Sequence, residues 1–124
     1  MAHDASTIKW LDQPDGQDYD AAASYLSLSF TAAQATRLVK QLRRARPTEF
    51  KAKDIFRASG LSLLGISNAH VEKDRRKIAA GTKLSPLLLV RHRQRGRLII
   101  ADGYHRLCAV YGYDEDASIP CKIV

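Results

Sequence analysis

Two short apolar segments joined by a basic link are the feature that most restricts how this chain can fold. Residues 86–91 and 97–101 are rich in leucine, isoleucine and valine, and residues 92–96 between them are polar and end in a glycine. Apolar runs of this length with a short polar link are typical of a β-hairpin.

Helical patterns, each with an N-cap residue or a terminating glycine or proline, account for much of the remaining chain. They cover residues 31–45, 51–59, 68–80 and 103–111. Residues 21–30 are ambiguous between a helix and an extended lead-in, and residues 118–124 have the pattern of a final strand. Helices followed by a few strands predict an α+β fold, with a small mixed sheet and N-terminal helices.

Charge is distributed unevenly along the chain. Residues 1–20 contain five aspartates and one lysine, a net charge of −4, whereas the whole chain carries +7, so the remainder carries +11. We predict an acidic, flexible arm over residues 1–20 and a single domain over residues 21–124, with a helical lead-in over 21–50. The basic body favours anionic partners such as nucleotides, nucleic acids or acidic proteins, although many basic domains are simply soluble.

Cysteine usage and hydropathy indicate a cytoplasmic protein. Cys108 and Cys121 are too few for a disulfide framework, and no apolar stretch approaches transmembrane length. The first residues also lack the basic and apolar regions of a secretory signal. We therefore expect reduced thiols and no membrane partner.

The strongest candidate site is the turn that follows the second apolar run, with the sequence Asp102-Gly103-Tyr104-His105-Arg106. Glycine allows a sharp turn and the close approach of a ligand. The first turn of a helix presents unpaired N–H groups that attract anions. His105 and Arg106 add side-chain donors, and arginine can bind a phosphate through two parallel hydrogen bonds. The pattern predicts a phosphate site.

Structural roles for the same residues stay open. Asp102 could cap the helix, orient His105, hold Mg²⁺ beside a phosphate or act as a base. Asp-Gly is also a common turn dipeptide, and Arg106 could pair with a carboxylate. A zinc site from His105, Cys108 and Cys121 lacks a second close pair of ligands.

This stretch resembles the second motif of the ParB/sulfiredoxin superfamily, in which a glycine is followed by polar residues and an arginine. Residues 102–109 carry that resemblance. Residues 81–90, with Ser85 ahead of a proline and a strand, resemble the family segment that touches the nucleotide in ParB, and residues 119–124 resemble the last strand of the family. The resemblance covers residues 51–124 and implies the ParB/sulfiredoxin-like fold.

The resemblance also implies a nucleotide site. Its phosphate-binding residues would be Ser85, Gly103, Tyr104, His105 and Arg106. The ligand would be a nucleoside triphosphate or diphosphate with Mg²⁺, bound near Asp102, and Asp102 and His105 would be the candidate catalytic residues. Tyr104 stands where sulfiredoxins have their reactive cysteine, so we do not expect their chemistry. No helix-turn-helix pattern follows the domain, so a DNA-loading clamp is not expected either.

Three functions stay open. One is a nucleotide-dependent hydrolase or phosphotransferase, and another is a scaffold with a vestigial site. The remaining one is a DNA- or RNA-binding module of the ParB-like nuclease type, in which the hairpin would add contacts to the nucleic acid. Its contacts would be the alternating arginines Arg91, Arg93, Arg95 and Arg97, for which a solvated hairpin tip is the alternative. A homodimer is also open.

We further hypothesise that the acidic arm shields the basic body, so that its truncation tightens anion binding.

Overall fold

The computed structural model describes residues 8–94 and 96–124, and within these ranges it contains five helices and four strands. The helices are α1 Gly16–Leu26, α2 Ala32–Arg44, α3 Ala52–Ser59, α4 Ala69–Ala80 and α5 Tyr104–Tyr113. The strands are β1 Thr48–Lys51, β2 Leu87–His92, β3 Arg97–Asp102 and β4 Ser118–Ile123. The predicted α+β class, with a small mixed sheet and helices at the N-terminal side, is confirmed.

The sheet has the order β1-β4-β2-β3. The predicted hairpin is present as the antiparallel pair of β2 and β3, and β1 pairs antiparallel with β4. The two central strands, β2 and β4, are parallel. A parallel pair requires a crossover connection, and α5 supplies it after β3. This crossover fixes the first turn of α5 at the end of β3, where the candidate site lies.

Helices cover both faces of the sheet. Successive residues of β2 point to opposite faces, so this strand packs against helices on both sides. Leu88 and Val90 face α1 and α2, whereas Leu87 and Leu89 face the core built with α3, α4 and α5. All four side chains are almost completely buried. A buried lysine on β4, Lys122, donates through Nζ to the Arg43 carbonyl at 3.0 Å, which satisfies a carbonyl in the last turn of α2.

Local capping explains where most helices begin and end. Thr31 and Gln34 form a reciprocal capping box at the start of α2, and the Asn68 side chain accepts from the first turn of α4. Gly60 and Gly81 end α3 and α4 in the left-handed conformation. Strand β1 was not predicted because its four residues are all exposed and carry no alternating apolar pattern.

The prediction of a flexible acidic arm over residues 1–20 is wrong for residues 8–20, while residues 1–7 lie outside the described ranges. Ile8 is buried, and the backbone around Trp10 pairs with Leu84 through two hydrogen bonds of 2.8 Å. Helix α1 begins at Gly16, and its residue Tyr19 is buried. The prediction was based on the many aspartates of this segment and gave too little weight to the apolar residues that anchor it.

Both cysteines are buried and free. Burial raises the pKa of the Cys121 thiol to about 12 and also raises that of Cys108. Of the helices in the two described ranges, none is both long and apolar enough to cross a membrane.

Candidate anion-binding site

The turn between β3 and α5 is built around Gly103. Its φ is +109°, and a Cβ there would lie 2.7 Å from Leu87 Cγ and 3.0 Å from Arg106 Nη2. A side chain would therefore be strained in its backbone and would also collide with its neighbours. The absence of a side chain lets α5 begin directly against β2.

Arg106 lies beneath this turn. Its Nη2 donates to Asp102 Oδ2 at 2.9 Å and to the Pro86 carbonyl at 3.4 Å. The side chain is 16% exposed, and within the described part of the chain its Nε is buried without a hydrogen-bond partner. The guanidinium therefore closes the turn by pairing with a carboxylate, which is the structural role left open for it above.

Helix α1 brings a second carboxylate to the same guanidinium. Asp18 Oδ2 lies 3.9 Å from Arg106 Nη2 and accepts a hydrogen bond from the Ser85 hydroxyl. Ser85 Oγ in turn accepts from the N–H of Asp15, the N-cap residue of α1, at 3.1 Å. An internal carboxylate thus contacts two of the residues to which the resemblance assigns a phosphate, Ser85 and Arg106. Because Ser85 is buried and occupied by α1, we leave it out of the proposed ligand site.

Asp102 lies at the end of β3 in a partly buried position. Burial raises the pKa of its carboxyl above the ordinary value of 3.8, while the Arg106 guanidinium opposes the shift and Asp18 adds to it. Within residues 8–94 and 96–124, no group of three histidine, cysteine, aspartate or glutamate side chains is arranged to hold a metal ion. The Mg²⁺ expected beside Asp102 therefore stays a prediction.

Tyr104 is the first residue of α5 and holds the chain that precedes α4. Its hydroxyl donates to the Ser62 carbonyl, and its ring packs at the edge of the apolar core. Burial raises the pKa of Tyr104, and Cys108 adds to this shift. These contacts give Tyr104 a packing role at the start of α5.

A shallow polar depression of about 170 Å³ lies between α4 and the first turn of α5. It is lined by residues 102–106 and by His70, Lys73, Asp74 and Lys77 of α4. The His70 and His105 ring centroids are 4.8 Å apart across it. No side chain caps α5, so the positive end of its dipole and its first N–H groups border the depression.

Sequence reasoning missed the contribution of α4 to this site. Arg75 and Arg76 of α4 are exposed to solvent, and both pair with Glu72. Lys73 and Lys77 instead border the depression. The available signal was the spacing of residues 70, 73, 74 and 77, which places them on one side of a helix.

The hairpin arginines stand apart from this depression. Arg91 lies on β2, Arg97 on β3 and Arg93 in the link, and all three are exposed. They border a groove on the α3 side of the sheet rather than the depression beside α5. Arg95, the fourth predicted contact, lies outside the described residues.

Comparison of this chain with protein-family models, with curated proteins and with solved structures finds no match. The resemblance to the ParB/sulfiredoxin superfamily therefore stays a prediction.

Proposed function

We propose that this protein is a ParB-like phosphate-binding domain that holds a nucleotide phosphate in the depression between α4 and α5. The observation that carries the proposal is the uncapped start of α5 beside four basic side chains in addition to Arg106, which is paired with Asp102. These are His70, Lys73, Lys77 and His105. Free N–H groups at a helix start, with basic side chains around them, are the usual components of an anion site.

The size of the depression limits what it can hold. Pockets that enclose a drug-sized ligand measure roughly 300–1,000 Å³, whereas this one measures about 170 Å³. A phosphate group fits such a space, but a base and a ribose would remain outside it. We therefore expect little discrimination among ATP, ADP, CTP and GTP.

The charges around the depression support an anion over a cation. Asp102 and Asp74 are the acidic residues among its lining, and each lies near a base. Asp102 is paired with Arg106 at 2.9 Å, and Asp74 lies 4.0 Å from Lys77. Lys73 has no ion pair among the described residues, so it supplies a free positive charge at the rim.

Phosphoryl transfer or hydrolysis is a candidate reaction at this site, with His105 as the titratable group best placed to act on a bound phosphate. Asp102 is less available as a base because it is held by Arg106. A backbone phosphate of DNA or RNA offers the same chemistry to the depression and is the alternative ligand. We propose a cytoplasmic location, in which its two buried thiols would stay reduced.

Calorimetric titration of the full chain with phosphate, pyrophosphate, ATP, ADP, CTP and GTP, with and without Mg²⁺, tests the proposal. The informative variant is Lys73→Gln with Lys77→Gln, and the matched control is Lys40→Gln with Arg44→Gln, two basic residues with the same spacing on α2. We expect saturable binding that weakens about tenfold or more in the first variant only. Arg106→Ala is unsuitable because it would leave Asp102 unpaired in the turn.

Two outcomes would contradict nucleotide binding at this site. Equal weakening by both double variants would indicate a general charge effect rather than a site. Absence of binding to all six ligands would leave nucleic acid or a vestigial scaffold, and a salt series with DNA and RNA oligonucleotides would then separate these two. Phosphate release from the nucleotides, measured on the same variants and on His105→Gln, tests for turnover.

A further inference from the structure

A groove of about 410 Å³ opens on the α3 side of the sheet, at the end where the β2–β3 hairpin extends beyond α3. We call it the arginine groove. Its apolar lining is formed by Phe50, Ile55, Ala58, Leu89, Leu98 and Ile123, and its charged lining by Asp54, Arg91, Arg93 and Arg97. It shares no residue with the depression beside α5.

The groove lies open between α3 and the hairpin. Helix α3 contributes Asp54, Ile55 and Ala58 to its lining. Ile55 and Leu89 form a buried floor, whereas Phe50 is 37% exposed at one side. The groove is therefore part of the main core that has been left uncovered.

Contacts with α3 hold an arginine at this opening. The Nε and Cζ atoms of Arg97 lie 3.8 and 3.9 Å from the position that a Cβ on Gly60 would take. The guanidinium thus lies near the end of α3, at the distance of an ordinary van der Waals contact from that position. Its positive charge therefore lies beside the apolar floor.

The positive charges of the groove outnumber its negative charges. Within the described residues, Arg91, Arg93 and Arg97 form no ion pair, whereas Arg75, Arg76 and Arg106 each pair with a carboxylate. Among the lining residues that the structure describes, Asp54 is the one that is acidic. Three guanidinium groups against one carboxylate leave a net positive rim around an apolar floor.

We propose that the arginine groove binds a small organic anion with an apolar body, such as a carboxylate or sulfonate on an alkyl chain or ring. The volume falls within the range for small-molecule sites, and the lining has the expected apolar majority with a few polar groups. Guanidinium groups bind carboxylates and sulfonates through paired hydrogen bonds and are weakly hydrated. A nucleic-acid backbone would leave the apolar floor unused. This inference does not rest on the proposed phosphate site.

Fluorescence titration with 1-anilinonaphthalene-8-sulfonate, an anion with an aromatic body, provides the first test. We expect saturable binding that decanoate displaces and that decanol and decyltrimethylammonium displace poorly. The three competitors have the same chain length and differ in the charge of the head group. Their order therefore separates the arginine contribution from the hydrophobic one.

Two substitutions locate the site. Arg97→Gln should raise the dissociation constant about tenfold, because it removes a charged hydrogen-bond donor. Ala58→Trp should abolish binding, because it fills the groove from an exposed helix position and leaves the core unchanged. Arg57→Gln on the same helix does not line the groove and should bind as the original chain does. Far-UV circular dichroism melting curves establish that every variant is folded.

Several results would overturn the inference. The first is the absence of saturable binding, and the second is equal displacement by decanoate and decyltrimethylammonium. Displacement by an oligonucleotide or an acidic peptide but not by decanoate would assign the arginines to a macromolecular partner instead. Loss of binding in Lys73→Gln with Lys77→Gln, but not in Ala58→Trp, would show that the probe binds in the depression beside α5 and not in the arginine groove.

Discussion

Among single residues, Gly103 has the most direct consequence for the turn, because the space that a side chain would need is filled by Leu87. The Asp-Gly pair after an apolar run was enough to locate this turn from the sequence. The partners of Arg106 could not be located in the same way. One of them, Asp18, lies far away in the chain and reaches Arg106 only through the packing of α1 on the sheet.

Replacing Gly103 by alanine should destabilise the protein by about 3 kcal/mol, because the positive φ and the contact with Leu87 both penalise a Cβ. Urea denaturation measures this change. Gly112→Ala in the same helix is the control, since a Cβ there meets nothing within 4 Å. The control should be stabilising by about 0.5–1 kcal/mol. Similar effects of both changes would contradict this account of the turn.

Asp102 should make stability depend on pH. A carboxyl with a raised pKa in the folded state stabilises the fold below its unfolded pKa of 3.8, and this contribution is lost as the pH rises through the folded pKa. The free energy of unfolding of the original chain, minus that of Asp102→Asn, should therefore fall as the pH rises from 3.5 to 7. Urea titrations at several pH values measure it. A difference that rises with pH would show that the Arg106 pair outweighs burial.

At the scale of elements, local signals were sufficient for α2, α3, α4 and the β2–β3 hairpin, but not for α1 and β1. The first three have caps or glycine ends that follow from a few neighbouring residues. Strand β1 exists because β4 is beside it, and α1 carries a buried aspartate on its inner side. Both elements depend on partners distant in sequence, which a local pattern cannot supply. For the α4 side of the depression, the spacing of the lining residues was visible in the sequence, but the packing of α4 beside the start of α5 was not.

Asp18 should be important for the stability of α1. Asp18→Asn removes the charge that faces Arg106 and alters the hydrogen bond with Ser85, so we expect a loss of about 2 kcal/mol. Asp20→Asn, at an exposed position of the same helix, should change little. Urea denaturation gives the free energies, and amide hydrogen exchange shows whether α1 is affected first. Equal effects of the two changes would contradict an anchoring role.

The hypothesis that an acidic arm shields the basic body takes a different form in the structure. Truncation of residues 1–20 would remove Ile8, Tyr19 and part of α1, which belong to the packed body. We therefore expect truncation to destabilise the fold rather than to tighten anion binding. The internal carboxylate of Asp18 is the specific part of that hypothesis that the contacts with Ser85 and Arg106 support.

For the whole molecule, one sheet separates two apolar cores, and adjacent residues of β2 belong to different cores. Leu88 packs with α1 and α2, and Leu89 packs with α3, α4 and α5. Both are completely buried. Because both cores pack against the same hydrogen-bonded sheet, we expect them to unfold together.

Leu88→Ala tests this coupling. The change creates a cavity on the α1–α2 side and should cost about 3 kcal/mol. The single tryptophan, Trp10, packs against the other core and serves as a distant probe. The unfolding transitions followed by its fluorescence and by far-UV circular dichroism should have the same midpoint, at a lower urea concentration than in the original chain. Separate midpoints for the two signals would show that the cores unfold independently.

The place of β4 in the sheet has a consequence for how the protein is made. Residues 118–123 form an inner strand, and β1, some seventy residues earlier, pairs with no other strand in the described part of the chain. During synthesis on a ribosome, β1 must wait without its partner until residues 118–123 have left the exit tunnel. The β2–β3 hairpin can form earlier, but the full sheet cannot, so the nascent chain exposes apolar surface until that moment. Chaperones that bind emerging chains would meet this protein in that half-assembled state.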